Sequence, residues 1–132
     1  MYFELTEEQL MIKQAARDFA QNVLKPGVID RDREMRYPYE EVKQMGELGF
    51  LGMMVSPEYG GGGMDTMSYV LAMEEISKVD SSCSVIMSVN NSLVCWGLEQ
   101  FGSEEQKRKY LPDVASGKKI GAFCLSEPAA GS

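Results

Sequence analysis

The chain has 132 residues, of which 44% are hydrophobic, and its 20 acidic residues outnumber its 13 basic residues to give a formal net charge of −7. A chain of this length can bury one core, whereas the acidic balance and the lack of a basic cluster exclude nucleic acid and an anionic membrane as natural partners. Histidine is absent, which excludes histidine metal sites and Ser-His or Cys-His nucleophile pairs.

The first helix is predicted over residues 7–24. Thr6 is its N-cap, and Gln9, three residues later, completes a capping box. Apolar residues then recur at spacings of three and four, which indicates one buried face: Ile12, Ala15, Ala16, Phe19, Ala20 and Val23. The charge-rich residues 28–36 show no such period, and we predict that they form a loop.

A second helix is predicted to begin at Pro38, a residue suited to the first helical position, and to end at Gly49. Its predicted buried face consists of Val42, Met45 and Leu48. The four glycines at residues 60–63 lack the Gly-Lys-Ser/Thr of a phosphate-binding P-loop and the spacing of a dinucleotide-binding turn. We therefore interpret them as a turn between helices.

A third helix is predicted over residues 67–79, with Asp65 or Thr66 as its cap. Its predicted buried side consists of Val70, Met73, Ile76 and Val79. Glu74 and Glu75 resemble a pair of catalytic carboxylates, but adjacent helical positions diverge by about 100°. We therefore assign them solvated or structural roles.

The segment at residues 81–101, which Asp80 is predicted to cap, differs from the other helices because apolar residues surround it. A helix of this kind is normally buried on all sides. Two interpretations stay open: a core helix whose polar residues bond to neighbouring backbone, or one wall of an apolar ligand cavity.

Ser103 and Gln106 form a second capping box ahead of a helix predicted over residues 104–115. The predicted inward residues of this helix are Tyr110, Leu111 and Val114. After Gly117, we predict a strand at residues 120–125 that leads into a Ser-Glu-Pro turn.

The cysteines are odd in number and lack Cys-x-x-Cys spacing, which predicts reduced, buried thiols: Cys83, Cys95 and Cys124. Neither a signal peptide nor an Arg-rich transit segment precedes Leu5, and no apolar run reaches membrane-spanning length. We expect a cytoplasmic protein.

The chain ends in Phe-Cys-Leu-Ser-Glu-Pro-Ala-Ala-Gly-Ser at residues 123–132. This run resembles the flavin-binding motif of the acyl-CoA dehydrogenase family. Three earlier motifs stand in the order expected of that family: Tyr-Gly-Gly at 59–61, Ser-Val-Asn-Asn-Ser-Leu at 88–93 and Phe-Gly-Ser-Glu-Glu-Gln-Lys at 101–107. The Asn-Asn-Ser-Leu run and the Ser-Glu-Pro turn look most like the short-chain, butyryl-CoA type.

The resemblance implies a mainly α fold. Residues 1–117 would form an orthogonal bundle of about six helices, and residues 118–132 would begin a β-domain that is truncated here. A C-terminal four-helix domain would follow in a complete, homotetrameric enzyme.

The resemblance also implies the chemistry. Enzymes of this family remove an α-proton from an acyl-CoA with a glutamate while N5 of FAD accepts the β-hydride, which gives the trans-2-enoyl-CoA. Electrons then pass to electron-transfer flavoprotein. Because that glutamate belongs to the C-terminal domain, we assign no catalytic residue to this chain and expect it to be inactive alone.

The matched motif implies the site residues. For FAD these are Phe123, Cys124, Leu125, Ser126, Gly131 and Ser132. Among them, Phe123 would pack against the ring, while the Leu125 backbone and the Ser126 hydroxyl would donate to its polar edge. Ser132 would also approach the thioester arm of the substrate, and the acyl-chain end would lie near Ile86, Val89, Asn90 and Leu93.

Three alternatives share these sequence features. Two are enzymes of related specificity: an acyl-CoA oxidase, and a medium-chain or branched-chain acyl-CoA dehydrogenase. The third belongs to another class, a helical interaction module that binds no flavin.

Overall fold

The structure of the chain, a computed structural model, describes residues 4–131. It is mainly helical, as predicted, and its helices are α1 (Glu7–Phe19), α2 (Val28–Arg33), α3 (Tyr39–Glu47), α4 (Thr66–Ser77), α5 (Ser81–Ser88), α6 (Trp96–Phe101) and α7 (Glu104–Ala115). One π-helical segment, Ala20–Leu24, continues α1, and a second, Val89–Cys95, joins α5 to α6. Short 3-10 turns lie at Lys25–Gly27 and Pro57–Tyr59. No helix between residues 4 and 131 combines the length and the apolar character that a membrane crossing requires.

Four helices begin at the N-caps that the sequence predicts. In each case the side-chain oxygen accepts a hydrogen bond from the backbone N–H three residues later, a donor that has no partner inside the helix. The pairs are Thr6 with Gln9, Asp65 with Ser68, Asp80 with Cys83, and Ser103 with Gln106. The capping boxes at Thr6 and Ser103 are complete.

The core has two parts. The larger part lies where α1 packs against α4, together with α3, α5 and the connector at residues 50–55. Its largest fully buried side chains are Leu24, Met45, Leu51, Met53, Ile76 and Met87. The smaller part contains Val55, Tyr59, Cys95, Leu111, Val114 and Ala115. The connector therefore contributes to both parts, although it has no helical structure of its own.

The predicted loop at residues 28–36 is wrong, because Val28–Arg33 forms α2. An ion pair explains this short helix. Arg31 is buried, and its Nη2 donates to Asp80 Oδ2 at 2.9 Å while its Nη1 donates to Glu41 Oε1 at 2.6 Å. An inward-facing arginine leaves no apolar period in the sequence.

Four predicted core positions are also wrong, since Ala15, Leu48, Val70 and Tyr110 are exposed. Helical spacing alone does not decide which apolar residues of a helix meet a neighbour. In α4 the buried apolar residues are Tyr69, Leu71, Ala72 and Ile76. In α3 the face that meets α7 contains Gly46 rather than Leu48.

The strand predicted at residues 120–125 is not formed, and these residues have no regular secondary structure. A strand needs a neighbouring strand to pair its backbone groups. Here the Gly121 N–H donates instead to the side chain of Asn90, at 2.8 Å. The one β-type bridge within residues 4–131 joins Glu127 to Ala130 in a tight turn.

Glu75 is a structural carboxylate, as predicted. Its side chain is 5% exposed, and Arg17 donates to it from Nε and Nη2 at 3.0 and 3.1 Å. Lys78 Nζ donates to it at 3.0 Å, and Lys13 Nζ lies 3.8 Å away. The hydrogen bonds from Arg17 contribute most to lowering the pKa of Glu75 from 4.5 to about 2, against the opposing effect of burial.

A carboxyl group whose pKa is lowered by folding stabilises the fold only while it is ionised. The contribution of Glu75 is therefore complete above about pH 5 and is lost as the pH falls from 4.5 through about 2. Glu75→Gln should lower the free energy of unfolding at pH 7 by about 2–3 kcal/mol. It should also flatten the dependence on pH in that window, as measured by urea denaturation followed by circular dichroism.

Glu74→Gln is the matched control for this experiment. Glu74 shares Lys13 and Lys78 with Glu75, but its side chain is half exposed. Its substitution should therefore change stability much less. Equal losses from the two variants would contradict the structural role of Glu75.

Glycine allows α3 and the end of α7 to approach closely. A Cβ atom on Gly46 would lie 2.5 Å from the carbonyl oxygen of Ser116 and 3.1 Å from Cα of Gly117. Gly117 ends α7 with a φ of 73°, in the left-handed region that favours glycine. The start of the C-terminal segment is thereby placed against α3.

Gly46→Ala should lower the free energy of unfolding by about 1–3 kcal/mol, because the added methyl group meets rigid backbone. Gly97→Ala should instead raise it by about 0.5–1 kcal/mol, through the higher helix propensity of alanine. Gly97 suits the comparison because it lies in α6, where an added Cβ would meet nothing within 4 Å. Denaturant unfolding of both variants measures the difference. If the Gly46→Ala variant were more stable than the Gly97→Ala variant, the close packing of Gly46 against the end of α7 would be contradicted.

Candidate functional site

The C-terminal segment at residues 118–131 leaves the end of α7 without forming a helix or a strand ladder. The Gly121 N–H donates to Asn90 Oδ1. A turn closed by two backbone hydrogen bonds follows at residues 127–130. Between these two points, the backbone of residues 122–126 forms no hydrogen bond to any group of residues 4–131. Five successive residues therefore present free backbone donors and acceptors.

Five of the six residues predicted to contact FAD are exposed: Phe123, Cys124, Leu125, Ser126 and Gly131. The sixth, Ser132, lies outside the described residues. Phe123 and Leu125 are 55% and 59% exposed. The segment thus combines apolar side chains, unpaired backbone groups and a hydroxyl on one short stretch, the set that a ring with an apolar face and a polar edge requires.

Asn90 lies behind this segment and is 0% exposed. Its Nδ2 donates to the carbonyl oxygens of Leu51 and Val114 at 2.8 and 3.0 Å, and its Oδ1 accepts from Gly121. These bonds use both N–H groups of the amide. Asn90 therefore has no donor left for a ligand, and it does not face a cavity with Ile86, as the shared face predicted from helical spacing would require.

Asn91, the next residue, is also buried. Its Nδ2 donates to the carbonyl oxygens of Phe50 and Met87, and its Oδ1 accepts from the Met53 N–H at 2.9 Å. Both asparagines lie in the π-helical segment at residues 89–95. Turns of this kind occur often at functional sites.

An apolar row lies on the outer face of the same helix. Val85, Leu93 and Trp96 are exposed and Val89 is half-buried, so this helix is not buried on all sides as composition predicts. Trp96 also packs edge-on against Phe101, with ring centroids 5.6 Å apart. The sequence prediction included Val89 and Leu93 but missed the other members of the row. The spacing of four residues between positions 85, 89 and 93 is the sequence pattern that would have predicted Val85 as a member of this row.

Ile86 is less exposed than most of the row and shares a groove with one of its members, Val85. It is half-buried against the larger core and lines one wall of an open groove of about 920 Å³ between α2 and the start of α5. Val28 and Ile29 line the opposite wall. Of the four predicted acyl-chain contacts, Val89 and Leu93 therefore belong to the outer row, whereas Ile86 and Asn90 face elsewhere.

The cysteines show two environments. Cys83 and Cys95 are buried thiols, as predicted, and burial raises the pKa of each to about 12. Cys124 is exposed, contrary to the prediction of a buried thiol, because the segment that carries it has no packed neighbour.

A model of the family described as "Acyl-CoA dehydrogenase, N-terminal domain" matches residues 6–118. This match covers most of the chain and contains the capping boxes, the buried asparagines and the outer row. The chain belongs to the acyl-CoA dehydrogenase family.

Three similar proteins add detail to this assignment. A short-chain specific acyl-CoA dehydrogenase of Clostridium acetobutylicum is 47% identical over 132 residues, which is 100% of this chain and 35% of that protein. A chain in a structure of the electron transferring flavoprotein of Acidaminococcus fermentans is 47% identical, with a TM-score of 0.95 over 99% of this chain and 34% of its own length. A glutaryl-CoA dehydrogenase of Mycobacterium smegmatis, solved in complex with FADH2, is 38% identical, with a TM-score of 0.90 over 97% of this chain and 33% of its own length.

This acyl-CoA dehydrogenase chain therefore spans about a third of the length of the relatives that it matches. Residues 6–118 correspond to the N-terminal domain of the family.

Proposed function

We propose that the chain is the N-terminal part of an FAD-dependent acyl-CoA dehydrogenase that oxidises a short-chain acyl-CoA to the trans-2-enoyl-CoA and passes electrons to electron-transfer flavoprotein. One observation carries the proposal: an exposed segment with an unpaired backbone, residues 122–126, is attached to the helix whose outer face bears an exposed apolar row. The likeness to a short-chain specific relative supports the substrate class. The domain division follows, with residues 1–117 as the helical domain and residues 118–132 as the start of a β-domain.

The residues of the exposed segment fit FAD. Phe123 and Leu125 supply apolar surface for one face of a flavin ring, the Leu125 N–H is free to donate to its polar edge, and the Ser126 hydroxyl can add a second hydrogen bond. An added Cβ on Gly131 would meet nothing within 4 Å, so the backbone there is open to a pyrophosphate. Cys124, between Phe123 and Leu125, is the remaining residue of the segment proposed to contact FAD. Bound FAD supplies the acceptor for the two electrons of the oxidation.

The outer row fits the acyl chain. Val89 and Leu93 would contact its methylene groups and exclude water from it, since apolar surface exposed here is otherwise unfavourable. Ile86 would contribute from the adjoining groove, and Ser132 would approach the thioester. Asn90 would act on the substrate only indirectly, because its amide is committed to backbone groups.

The proton-abstracting glutamate is proposed to lie in the C-terminal part of the complete enzyme. Glu127 is close in sequence to the flavin segment, but its backbone closes the turn at residues 127–130 and suits it to that structural role. The complete enzyme would be a cytoplasmic homotetramer. The likeness to a chain in the structure of an electron transferring flavoprotein supports such a protein as its redox partner.

The full-length protein should purify yellow, with FAD bound. It should oxidise butyryl-CoA faster than octanoyl-CoA or isovaleryl-CoA, with electron-transfer flavoprotein rather than oxygen as the acceptor. Steady-state kinetics with the three substrates and both acceptors measure this. A preference for octanoyl-CoA or isovaleryl-CoA would contradict the short-chain assignment. Turnover with oxygen alone would indicate an oxidase. A colourless protein that takes up no FAD would contradict the assignment as a flavin-dependent enzyme.

Ser126→Ala should weaken FAD binding by the value of one neutral hydrogen bond, about 0.5–1.5 kcal/mol, or roughly twofold to twelvefold in Kd. Titration of the apoprotein with FAD, followed by flavin fluorescence, gives the constant. Ser116→Ala is the matched control, because Ser116 loses a hydroxyl that bonds only to the carbonyl oxygens of Pro112 and Asp113 at the end of α7. An unchanged Kd for Ser126→Ala would show that the Ser126 hydroxyl does not contribute to FAD binding.

A further inference from the structure

Gly121 is the last anchored residue before the exposed segment. Its N–H donates to Asn90 Oδ1 at 2.8 Å, and the five residues that follow it bond to no backbone or side-chain group of residues 4–131. Residue 126 is only five residues away from this anchor, and each residue of extended chain spans at most about 3.6 Å. The point at which Gly121 is held therefore limits where residues 122–126 can lie.

A second feature holds Gly121 at the same point. A Cβ atom at this position would lie 2.6–2.7 Å from three side-chain atoms of Val94, so only glycine lets the backbone come this close to the helix. Val94 lies in the π-helical segment at residues 89–95, one turn beyond Asn90. The hydrogen bond and the close contact thus act together on one residue.

We propose that Asn90 is a positioning residue that sets the register of the flavin-binding segment against the helix that bears the acyl-chain contacts. This inference rests on the proposed function. Asn90 lies between Val89 and Leu93 on the helix that would contact the acyl chain. Through its bond to Gly121, the same helix also anchors the segment that would contact the flavin. Reacting groups must be aligned to a fraction of an ångström, and one rigid element that anchors both sides provides that alignment.

Asn91 shows what a purely structural asparagine does here. It is as buried as Asn90 and also forms three hydrogen bonds, but its partners are Phe50, Met53 and Met87, all within the helical bundle. Asn90 differs from it by the bond to Gly121. Substitution of Asn91 should therefore affect only the stability of the fold, whereas substitution of Asn90 should also affect the position of the segment.

The test uses three variants of the full-length protein: Asn90→Ala, Gly121→Ala and Asn91→Ala. Gly121→Ala displaces the anchored residue and leaves the bonds from Asn90 to Leu51 and Val114 in place. It therefore decides the matter even if Asn90→Ala folds poorly. Hydrogen–deuterium exchange of the peptide at residues 118–126, measured without added cofactor, is the first readout, and kinetics of the FAD-loaded enzyme with butyryl-CoA are the second.

In Asn90→Ala and Gly121→Ala, exchange in this peptide should accelerate roughly threefold to tenfold, the effect of losing one hydrogen bond. In the same variants kcat should fall about tenfold to a hundredfold with little change in KM, because bound substrate is misaligned rather than unbound. Asn91→Ala should lower the thermal unfolding midpoint but leave both readouts of the segment unchanged.

Unchanged exchange in both Asn90→Ala and Gly121→Ala would overturn the anchoring, and unchanged kcat in folded, FAD-loaded variants would overturn the positioning role. Exchange needs no flavin, so it decides the anchoring even for a wild-type protein that binds no FAD. That last result would reject the proposed function instead.

Discussion

The structure depends on two buried carboxamides that bond to irregular backbone. The connector at residues 50–55 crosses the core without helix or strand, and an unpaired buried N–H or C=O costs about 1–3 kcal/mol. The glycine loop pairs part of this backbone, because the N–H groups of Gly62, Gly63 and Met64 donate to the carbonyl oxygens of Gly52, Val55 and Met53. Asn91 bonds to the first and fourth residues of the connector, and Asn90 bonds to the second. Through these bonds a chain with glycines and no regular structure can fill the interior.

The π-helical segment at residues 89–95 carries both amides and also positions the candidate site. Asn90 and Asn91 are buried while Val89 and Leu93 stay on the outer side. The same segment thereby supports the core, presents the apolar row and holds Gly121.

Helix starts and the family motif could be predicted from sequence because each depends on neighbouring residues, as in the capping boxes at Thr6 and Ser103. The misses depend on distant partners. α2 forms because Arg31 reaches Asp80 across 49 positions, and no strand forms at residues 120–125 because the described residues offer no neighbouring strand to pair with it. Helical spacing likewise grouped Asn90 with the acyl-chain contacts, although its amide serves the backbone.

Amide hydrogen exchange of the wild-type protein, resolved for single residues by NMR, tests the role of the two asparagines most directly. The N–H groups of Met53 and Gly121 lie outside regular secondary structure, yet each donates to a buried asparagine oxygen. We predict that both exchange slowly, like the amides of the buried helices. Rapid exchange at Met53 and Gly121 would contradict the central role of the two asparagines.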